Sequence, residues 1–226
     1  GITQVAKVGY PLGTWKGQAP RFTDNGERIV DANGMPAYTT EAVVLENTQA
    51  DWIGGLSTSL QYKGLRVGAL VDTRQGGTIF SLTKTAVEFN GTSVNSTIND
   101  RKPFVIPNSV VDNGDGTFSP NTTAIGVDSY VDDGNYSRHI LDGSFVKLRE
   151  ITLGYTLPKN IVSKIGMQAA SINLFVKNPR VWLPSENMYA DPEVNNPVGT
   201  ANNTSGVEST QTPISRSYGV NLNITF

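Results

Sequence analysis

The side chains that could carry out catalysis in this chain are few. The sequence contains one histidine, His139, and no cysteine. A nucleophile with a base and an orienting group would have to combine a serine, His139 and a carboxylate such as Asp142, but no nucleophile elbow accompanies them. A lone histidine in a loop is more often simply exposed, and without cysteine or a second histidine a zinc site is disfavoured. The sequence therefore predicts no catalytic residue, no metal ligand and no cofactor.

Two acidic residues in the stretch VDNGDGTFSPN resemble part of a calcium loop. Asp112 and Asp115 lie close together among glycines, but the spacing lacks the closing carboxylate of the EF-hand pattern. Asp, Asn and Gly at this density are typical of turns. We therefore expect a turn over residues 113–116, and a second small hairpin around Asn33 and Gly34.

Aromatic and acidic side chains in the long loops are the candidates for binding. The last long loop carries Trp182, Tyr189, Asp191 and Glu193. Tyr130 and Tyr136 lie in the longest loop. Aromatic faces and carboxylates suit sugars, and they also suit a partner protein. The same residues serve equally well to pack a long loop against itself, so they are weak candidates for ligand contact.

The composition excludes some partners and leaves the membrane open. Charged residues make up 17% of the 226 residues, and the formal net charge is −2. Because phosphate binding needs clustered Lys and Arg, the absence of a basic run argues against nucleic acid. No apolar run approaches the roughly 18 residues of a transmembrane helix, but a membrane-spanning strand needs only about 9–11 alternating residues.

The clearest pattern is the stretch DWIGGLSTSLQYKGLRVGALVDTRQGG. Every second position from Trp52 to Tyr62 forms one face, which carries Trp52, Leu56, Leu60 and Tyr62 with Gly54 and Thr58 between them, and the alternation resumes at Leu65. Since successive side chains of a strand point to opposite faces, each segment is predicted as a strand with one apolar face. A two-residue turn at Lys63 and Gly64 would pair Tyr62 with Leu65 and keep both apolar faces on the same side.

The length of the first strand favours a membrane wall. Trp52 and Tyr62 bracket the apolar face and would lie about 33 Å apart along the strand. With a tilt near 45° this is a height of about 23 Å, close to the roughly 25 Å apolar band of an outer-membrane barrel with aromatic girdles. Arg66, Asp72 and Arg74 on the other face are expected to form polar ladders inside the wall. Sandwich strands are usually shorter, yet a soluble β-sandwich remains the alternative.

A second pair of strands is predicted in EITLGYTLPKNIVSKIGMQAASINLFVKN. Apolar residues alternate from Ile151 to Leu157, and again from Ile172 to Val176. Upstream of Ile151 the alternation changes phase, so we expect either a β-bulge or a change of environment near Arg149 and Glu150.

Short and long connections alternate along the chain. The turn at Lys63 is short, and so is the connection after Pro158, where residues 160–164 are expected to make a helical turn closed by Gly166. The long connections cover about 17–51, 75–143 and 179–215. Outer-membrane barrels have short periplasmic turns and longer extracellular loops, so this sorting favours a barrel over a sandwich.

The two ends of the chain complete the predicted strands. The N-terminal segment ITQVAKVGYPLGTWKG is expected to be a strand, although Pro11 weakens the prediction. In SRSYGVNLNITF the apolar positions are Tyr218, Val220, Leu222, Ile224 and Phe226. The fold class is therefore predicted as all-β, an antiparallel meander of about six long strands with long loops. Leu56, Leu60, Val67 and Ile224 are expected to contact lipid.

Several stretches resemble the SusC/RagA family of TonB-linked outer-membrane proteins of Bacteroidetes. They are VGYPLGTWKG, the YKG hairpin followed by DTRQGG, GSFVKLREITLGYTLPKNIVSKIGM, ASINLFVKNPRVW, DPEV and SYGVNLNITF. These matches occur in the right order and cover nearly the whole chain, so the resemblance to the C-terminal end of the family is specific.

The resemblance implies a transporter in the outer membrane of a Gram-negative bacterium. It implies a large barrel with an N-terminal plug, uptake of glycans or peptides energised through TonB, and a SusD-like lipoprotein partner. No plug or TonB-contacting segment is visible, so residues 1–226 are expected to be the C-terminal part of that barrel, because six strands do not close one.

The resemblance also gives the last strand a second role. Outer-membrane proteins commonly end in Phe, and the alternating residues from Tyr218 to Phe226 are similar to the signal that the assembly machinery recognises. The competing interpretations are a soluble β-sandwich module for carbohydrate binding or adhesion, and a plain diffusion porin.

Overall fold

The computed structural model describes residues 1–193, 205–212 and 214–226. The strands are β1 (Thr3–Val5), β2 (Thr14–Gly17), β3 (Arg28–Val30), β4 (Val43–Asn47), β5 (Trp52–Tyr62), β6 (Leu65–Gln75), β7 (Thr78–Ser81), β8 (Ser109–Asp112), β9 (Phe118–Pro120), β10 (Ile140–Asp142), β11 (Phe145–Thr156), β12 (Ala169–Trp182), β13 (Val207–Glu208) and β14 (Ser217–Thr225). The α-helices are α1 (Leu82–Phe89), α2 (Val127–Val131) and α3 (Lys159–Val162), and 3₁₀ segments cover Val94–Arg101, Tyr136–His139 and Ser163–Ile165. No helix in these described ranges is long and apolar enough to cross a membrane.

The chain divides into two compact units. The wall unit comprises Ala50–Gly76, Gly143–Met188 and Thr212–Phe226, and the loop unit comprises Gly1–Gln49, Gly77–Asp142 and Tyr189–Gln211. The wall unit contains one five-stranded sheet with the order β14-β12-β11-β6-β5, in which every neighbouring pair is antiparallel. The predicted antiparallel meander of long strands is therefore confirmed.

The first hairpin of the wall unit has the predicted register. Tyr62 pairs with Leu65, and the turn residues Lys63 and Gly64 have φ values of 47° and 87°. Positive φ at both central residues is the type I′ turn geometry that matches the twist of the strands. A Cβ on Gly64 would also lie 2.8 Å from the carbonyl oxygen of Thr156. Both the turn and the neighbouring strand therefore select glycine here.

Strand β11 contains the predicted bulge. Leu148 and Glu150 pair with the adjacent residues Val71 and Leu70 of β6, so Arg149 is the extra residue. Because one residue is left unpaired, the apolar side chains upstream of the bulge return to the same face as those downstream. The change of phase in the sequence is therefore caused by one extra residue, Arg149, and the apolar face of β11 is continuous across it.

The second short connection also forms as predicted. Helix α3 continues into a 3₁₀ turn that ends at Gly166, whose φ is 76°. The left-handed conformation at this position is the usual way to end a helix. Val162 is buried under the turn, whereas Ile161 and Ile165 are exposed.

The N-terminal segment differs from the expectation of one further long strand. It forms β1 and β2, which pair with each other and with β4 in a separate sheet of the loop unit. Between them, the amide of Tyr10 donates to the carbonyl of Lys7, and Gly9 and Gly13 have φ values of 85° and 82°. Together with Pro11, these turn residues interrupt the extended backbone. The long-stranded sheet therefore has five strands, not about six.

Two further three-stranded sheets organise the loop unit. Their orders are β10-β7-β13 and β3-β8-β9, and the pairs β7–β13 and β3–β8 are parallel. Both turns predicted in this region are present. Gly34 has a φ of 79° in the turn between Asp31 and Met35, and the hairpin of β8 and β9 closes where the amide of Asn113 donates to Thr117.

Buried apolar side chains cluster in the loop unit. Three clusters centre on Trp15, Phe80 and Val207, on Val30, Ile106 and Ile125, and on Ile79, Leu141 and Ala190. The loop unit therefore has small conventional cores, whereas most large apolar side chains of the wall unit point outward.

Candidate functional site

One face of the five-stranded sheet is a continuous apolar surface, which we call the apolar face. The strand register aligns two adjacent rows across it, Tyr62, Leu65, Tyr155, Ile172 and Leu222 in one and Leu60, Val67, Leu153, Leu174 and Val220 in the other. All ten side chains are between 37% and 73% exposed. Soluble monomers rarely leave so large an apolar patch in water. The apolar face is therefore built for an apolar environment.

Aromatic side chains mark both ends of the apolar face. Tyr62, Tyr155 and Phe226 lie at the end with the short turns, and Trp52 and Trp182 lie at the opposite end. Rings of this kind favour the boundary between hydrocarbon and water. Trp182, one of the four ligand candidates, is the register partner of Val146. Its position matches an aromatic girdle better than a loop binding site.

The opposite face of the sheet, the polar face, carries hydrogen bonds between polar side chains. The Nε of Arg149 donates to Asp72 over 2.8 Å, and Arg66 donates to Gln61 over 3.0 Å. The first bond joins β11 to β6, and the second joins β6 to β5. The polar ladder expected on this face is therefore present at Arg66 and Asp72.

A glycine on the last strand makes room for an aromatic ring on the polar face. Phe175 of β12 is the register partner of Gly219 of β14. A Cβ on Gly219 would lie 2.1 Å from the Cζ atom of that ring. A ring that covers a cross-strand glycine fixes the register of the two strands. Phe175 thus has a packing role that strand alternation alone does not reveal.

The other three ligand candidates lie in the loop unit. The hydroxyl oxygen of Tyr189 is 2.9 Å from Oγ of Ser93, and its ring packs against the cluster around Ile79. The carboxylate of Asp191 accepts a hydrogen bond from the amide of Glu193 over 3.0 Å. Tyr189 therefore packs its loop against residues of the preceding long loop, a packing role that the sequence predicts within a single loop.

His139 is buried, which corrects the expectation that it is exposed. Its side chain is 4% exposed, and its Nε2 atom lies 3.0 Å from Oε2 of Glu88. The side-chain Nδ2 of Asn95 donates to Oε1 of the same carboxylate over 2.8 Å. The expectation was wrong because nothing local to His139 signals burial, and its partner is 51 residues away.

His139 and Glu88 belong to a larger set of polar side chains, which also contains Arg138, Asp133 and Tyr38. We call this set the buried polar cluster. Arg138 lies 3.3 Å from Asp133, which also accepts a hydrogen bond from the hydroxyl of Tyr38. Burial and the neighbouring carboxylate raise the pKa of Tyr38 far above its ordinary value. Burial alone would raise the pKa of Glu88, but hydrogen bonds, led by that from His139, outweigh it and lower the pKa. Glu88 is therefore held as an ion.

A cavity of about 460 Å³ lies next to the buried polar cluster within the loop unit. Its charged lining comes from Glu88, Arg101, Asp128 and Asp132. The volume lies within the range of small-molecule sites. No sequence motif indicates the cavity, because its walls come from separate segments around α1 and α2.

The acidic pair that resembles a calcium loop forms a turn. Oδ1 of Asp112 accepts from the amide of Gly114, and Oδ1 of Asp115 accepts from the amide of Thr117, each over 2.9 Å. This confirms the interpretation as turn chemistry. Among the residues that the structure describes, no group of three or more His, Cys, Asp or Glu side chains could hold a metal ion.

Comparison with known proteins finds two curated relatives, both from Formosa agariphila. The chain is 28% identical to TonB-dependent receptor P26 over 228 residues, covering 95% of this chain and 22% of the relative. It is 26% identical to TonB-dependent receptor P3 over 205 residues, covering 89% of this chain and 19% of the relative. The chain thus spans about a fifth of the length of these relatives, and no family model matches it.

Solved structures share the fold. The RagAB peptide importer in the open-open state matches 100% of this chain and 24% of its own, with a TM-score of 0.59 and 16% identity. A second structure, of the RagAB peptide transporter, matches 97% of this chain and 23% of its own, with a TM-score of 0.58 and 18% identity. At this identity the match concerns the fold alone.

Together these findings show that the fold is similar to part of the barrel of TonB-dependent receptors. The resemblance to the SusC/RagA family that the motifs indicated is confirmed, and it covers nearly the whole chain.

Proposed function

We propose that this chain forms part of the wall of an outer-membrane importer of the TonB-dependent type. The observation that carries the proposal is the apolar face, with ten exposed side chains in two register-aligned rows and aromatic residues at both ends. In this arrangement the apolar face contacts lipid and the polar face lines a water-filled lumen. Residues 1–226 are then the C-terminal part of the barrel.

The two faces also argue against the alternative of a soluble β-sandwich. A sandwich buries one face of each sheet against the other, and the inner face then carries the apolar side chains. Here Leu60, Val220 and Leu222 of the apolar face are each more than 60% exposed. Water as the only solvent on that side would leave an unusually large apolar surface uncovered.

The transported substrate and the partners belong to the same proposal. The curated relatives are named TonB-dependent receptors, and the structural neighbours are titled as a peptide importer and transporter. These names support nutrient import by a transporter, not an enzyme. We propose glycans or peptides as substrates, a SusD-like lipoprotein as surface partner, and coupling to TonB through a part of the protein outside this chain.

The last strand is proposed as the assembly signal of the wall. Tyr218, Val220, Leu222 and Phe226 are each more than 60% exposed, and all lie on or next to β14 at the edge of the sheet. An exposed edge strand with an aromatic end offers both backbone hydrogen bonds and apolar pockets to a partner strand. Asp191 and Glu193 remain proposed ligand contacts at the surface of the loop unit.

Uptake by the protein that carries this chain tests the proposal. In cells of the native host, we expect accumulation of labelled glycans or peptides to require both this protein and a working TonB system. Accumulation that continues after the inner-membrane proton gradient is collapsed would indicate a diffusion porin. A protein found entirely in the soluble fraction would contradict the membrane assignment itself.

A further inference from the structure

Charge is distributed unevenly along the wall unit. Among its described residues, the acidic side chains are Asp51, Asp72, Glu150 and Glu186. Glu150 pairs with Leu70 at the middle of β6, and the other three lie farther from the short turns. The half that ends in the short turns carries Lys63, Arg66, Lys159 and Lys164 and no acidic side chain. The charged side chains of the turn end are therefore all positive.

The three lysines of this end are available to an outside partner. Lys63, Lys159 and Lys164 are all exposed. In the part of the chain that the structure describes, none of them forms an ion pair. Lys63 places its Nζ atom 5.2 Å from the ring centre of Tyr62, at the aromatic end of the apolar face. Lysine beside an interfacial aromatic ring is typical of the boundary between hydrocarbon and headgroups.

Two isoleucines add an apolar component beside these lysines. Ile161 and Ile165 are 51% and 63% exposed, although Val162 between them is buried. Ile161 lies in α3 and Ile165 in the 3₁₀ segment that directly follows it, so both exposed side chains belong to the same short helical connection. We call the set Lys63, Lys159, Ile161, Lys164 and Ile165 the turn surface.

The turn surface is continuous with the apolar face. The helical turn lies between β11, which ends just after Tyr155, and β12, whose first apolar-face row contains Ile172. The turn surface thus begins where the aromatic boundary of the apolar face ends. Exposed apolar side chains flanked by lysines at such a boundary have the chemistry of an interfacial membrane-binding segment.

We propose that the turn surface binds anionic phospholipid headgroups, with Ile161 and Ile165 inserted at the outer edge of the acyl chains. This inference rests on the proposed function, because it needs the apolar face to contact a bilayer. An anionic membrane surface attracts lysine side chains that lie within about a Debye length of it. Because no acidic side chain lies at this end of the wall unit, no carboxylate side chain there competes with lipid for the three ammonium groups. The proposed occupant is therefore phosphatidylglycerol or another lipid with a net negative headgroup.

Site-directed fluorescence in lipid nanodiscs tests the proposal. The chain has no cysteine, so Ile165→Cys can carry an environment-sensitive fluorophore in the barrel protein that contains this chain. Doxyl-labelled phosphatidylglycerol and doxyl-labelled phosphatidylcholine are the two quenchers, each diluted into unlabelled phosphatidylcholine. We expect quenching by the phosphatidylglycerol probe to exceed that by the phosphatidylcholine probe by at least about twofold.

Two triple variants, each carrying the Ile165→Cys label, test whether the lysines cause the preference for phosphatidylglycerol. Lys63→Gln, Lys159→Gln and Lys164→Gln together should bring the ratio of the two quenching signals to about one. The matched control changes three exposed cations at the other end of the wall unit, Lys177, Arg180 and Arg216, to glutamine, and the ratio should stay high. A ratio near one in the unchanged protein, or one that the lysine variant leaves high, would overturn the proposal.

A second label separates failure of this inference from failure of the proposed function. Leu60→Cys lies on the apolar face and should be quenched by both lipids. If Leu60→Cys is quenched and Ile165→Cys is not, the proposed membrane wall is supported and the proposed lipid binding by the turn surface is contradicted. A blue-shifted but unquenched label at Ile165→Cys would indicate contact with protein instead of lipid, and it would also overturn the inference. If neither label is quenched, the apolar face does not contact lipid, and the proposed function itself is contradicted.

Discussion

The wall unit and the loop unit place their apolar and polar side chains in opposite ways. In the loop unit, apolar side chains such as Ile79 and Val30 are buried, and the buried carboxylate of Glu88 has polar partners. In the wall unit, Leu60, Val220 and other large side chains point outward, and polar pairs such as Arg149 and Asp72 lie on the other face. Folding in water explains the first pattern. The second follows when the solvent on one side is hydrocarbon.

The comparison also separates what holds each unit together. The wall unit depends on long runs of cross-strand pairs, over β5, β6, β11, β12 and β14. Loss of one side chain there leaves many backbone hydrogen bonds unchanged. The loop unit depends on small cores and on one buried polar cluster, so a single substitution can remove a central contact.

The largest effect is expected from Glu88→Ala. The substitution leaves the buried ring of His139 and the half-buried side-chain amide of Asn95 without their carboxylate partner. Leaving a buried hydrogen-bond donor without its acceptor costs about 1–3 kcal/mol, and more when the acceptor was charged, so the loss of two such bonds costs several kcal/mol. Protease resistance of the loop unit in urea should fall sharply. The temperature at which the barrel protein loses its folded migration on gels should stay unchanged. Glu41→Gln, at an exposed carboxylate, is the control, and equal loss in both units would break the comparison.

A smaller effect is expected from Gly219→Val in the wall unit. The new side chain would collide with the ring of Phe175, whose Cζ atom would lie 2.1 Å from the added Cβ. Overpacking of this kind costs about 1–3 kcal/mol. The temperature at which the barrel loses its folded gel mobility should drop. Adding Phe175→Ala should restore much of it, and a double variant no better than the single one would contradict this packing.

Acid should weaken the loop unit selectively. The hydrogen bonds of Glu88 lower its pKa below the ordinary value of 4.5. A lowered folded pKa means that the carboxylate stabilises the fold above its ordinary pKa and loses that contribution as the pH falls through the folded pKa. Protease resistance of the loop unit should therefore decline below about pH 4.5. Glu88→Gln should flatten this part of the profile, and an unchanged profile in that variant would contradict the assignment.

The smallest effect is expected from Asp72→Asn on the polar face. Its ion pair with Arg149 is partly exposed, with side-chain exposures of 37% and 20%. Solvent-exposed pairs contribute at most about 1 kcal/mol, and screening by the surrounding water reduces this further. The melting temperature of the barrel should change by a few degrees at most. A large drop would show that the polar face, like the buried polar cluster, depends on single ionic contacts.

Local patterns predicted the wall unit well. The turn at Lys63 and Gly64, the bulge at Arg149 and the cap at Gly166 all follow from neighbouring residues in the sequence. Strand period and turn chemistry act over a few positions, so a single sequence contains them. The exception is the N-terminal segment, where Pro11 and its neighbouring glycines outweighed the strand pattern.

The loop unit could not be predicted to the same extent. The parallel pairing of β3 with β8, and the contact of His139 with Glu88, join segments that are distant in sequence and have no periodic signal. The ligand candidates show the same limit. Trp182 and Tyr189 were placed together by their shared loop, but the first lies at the end of a long strand and the second packs in a loop-unit cluster.

Lipid contact at adjacent positions of one strand tests the central claim most directly. Leu60 and Ser59 are neighbours on β5 and point to opposite faces. Single cysteines at these positions, labelled with a fluorophore in the reconstituted barrel protein, should respond in opposite ways. Leu60→Cys should be quenched by doxyl lipid and not by aqueous iodide, and Ser59→Cys should show the reverse. Equal accessibility to iodide at both positions, or quenching by lipid at Ser59→Cys alone, would contradict the account.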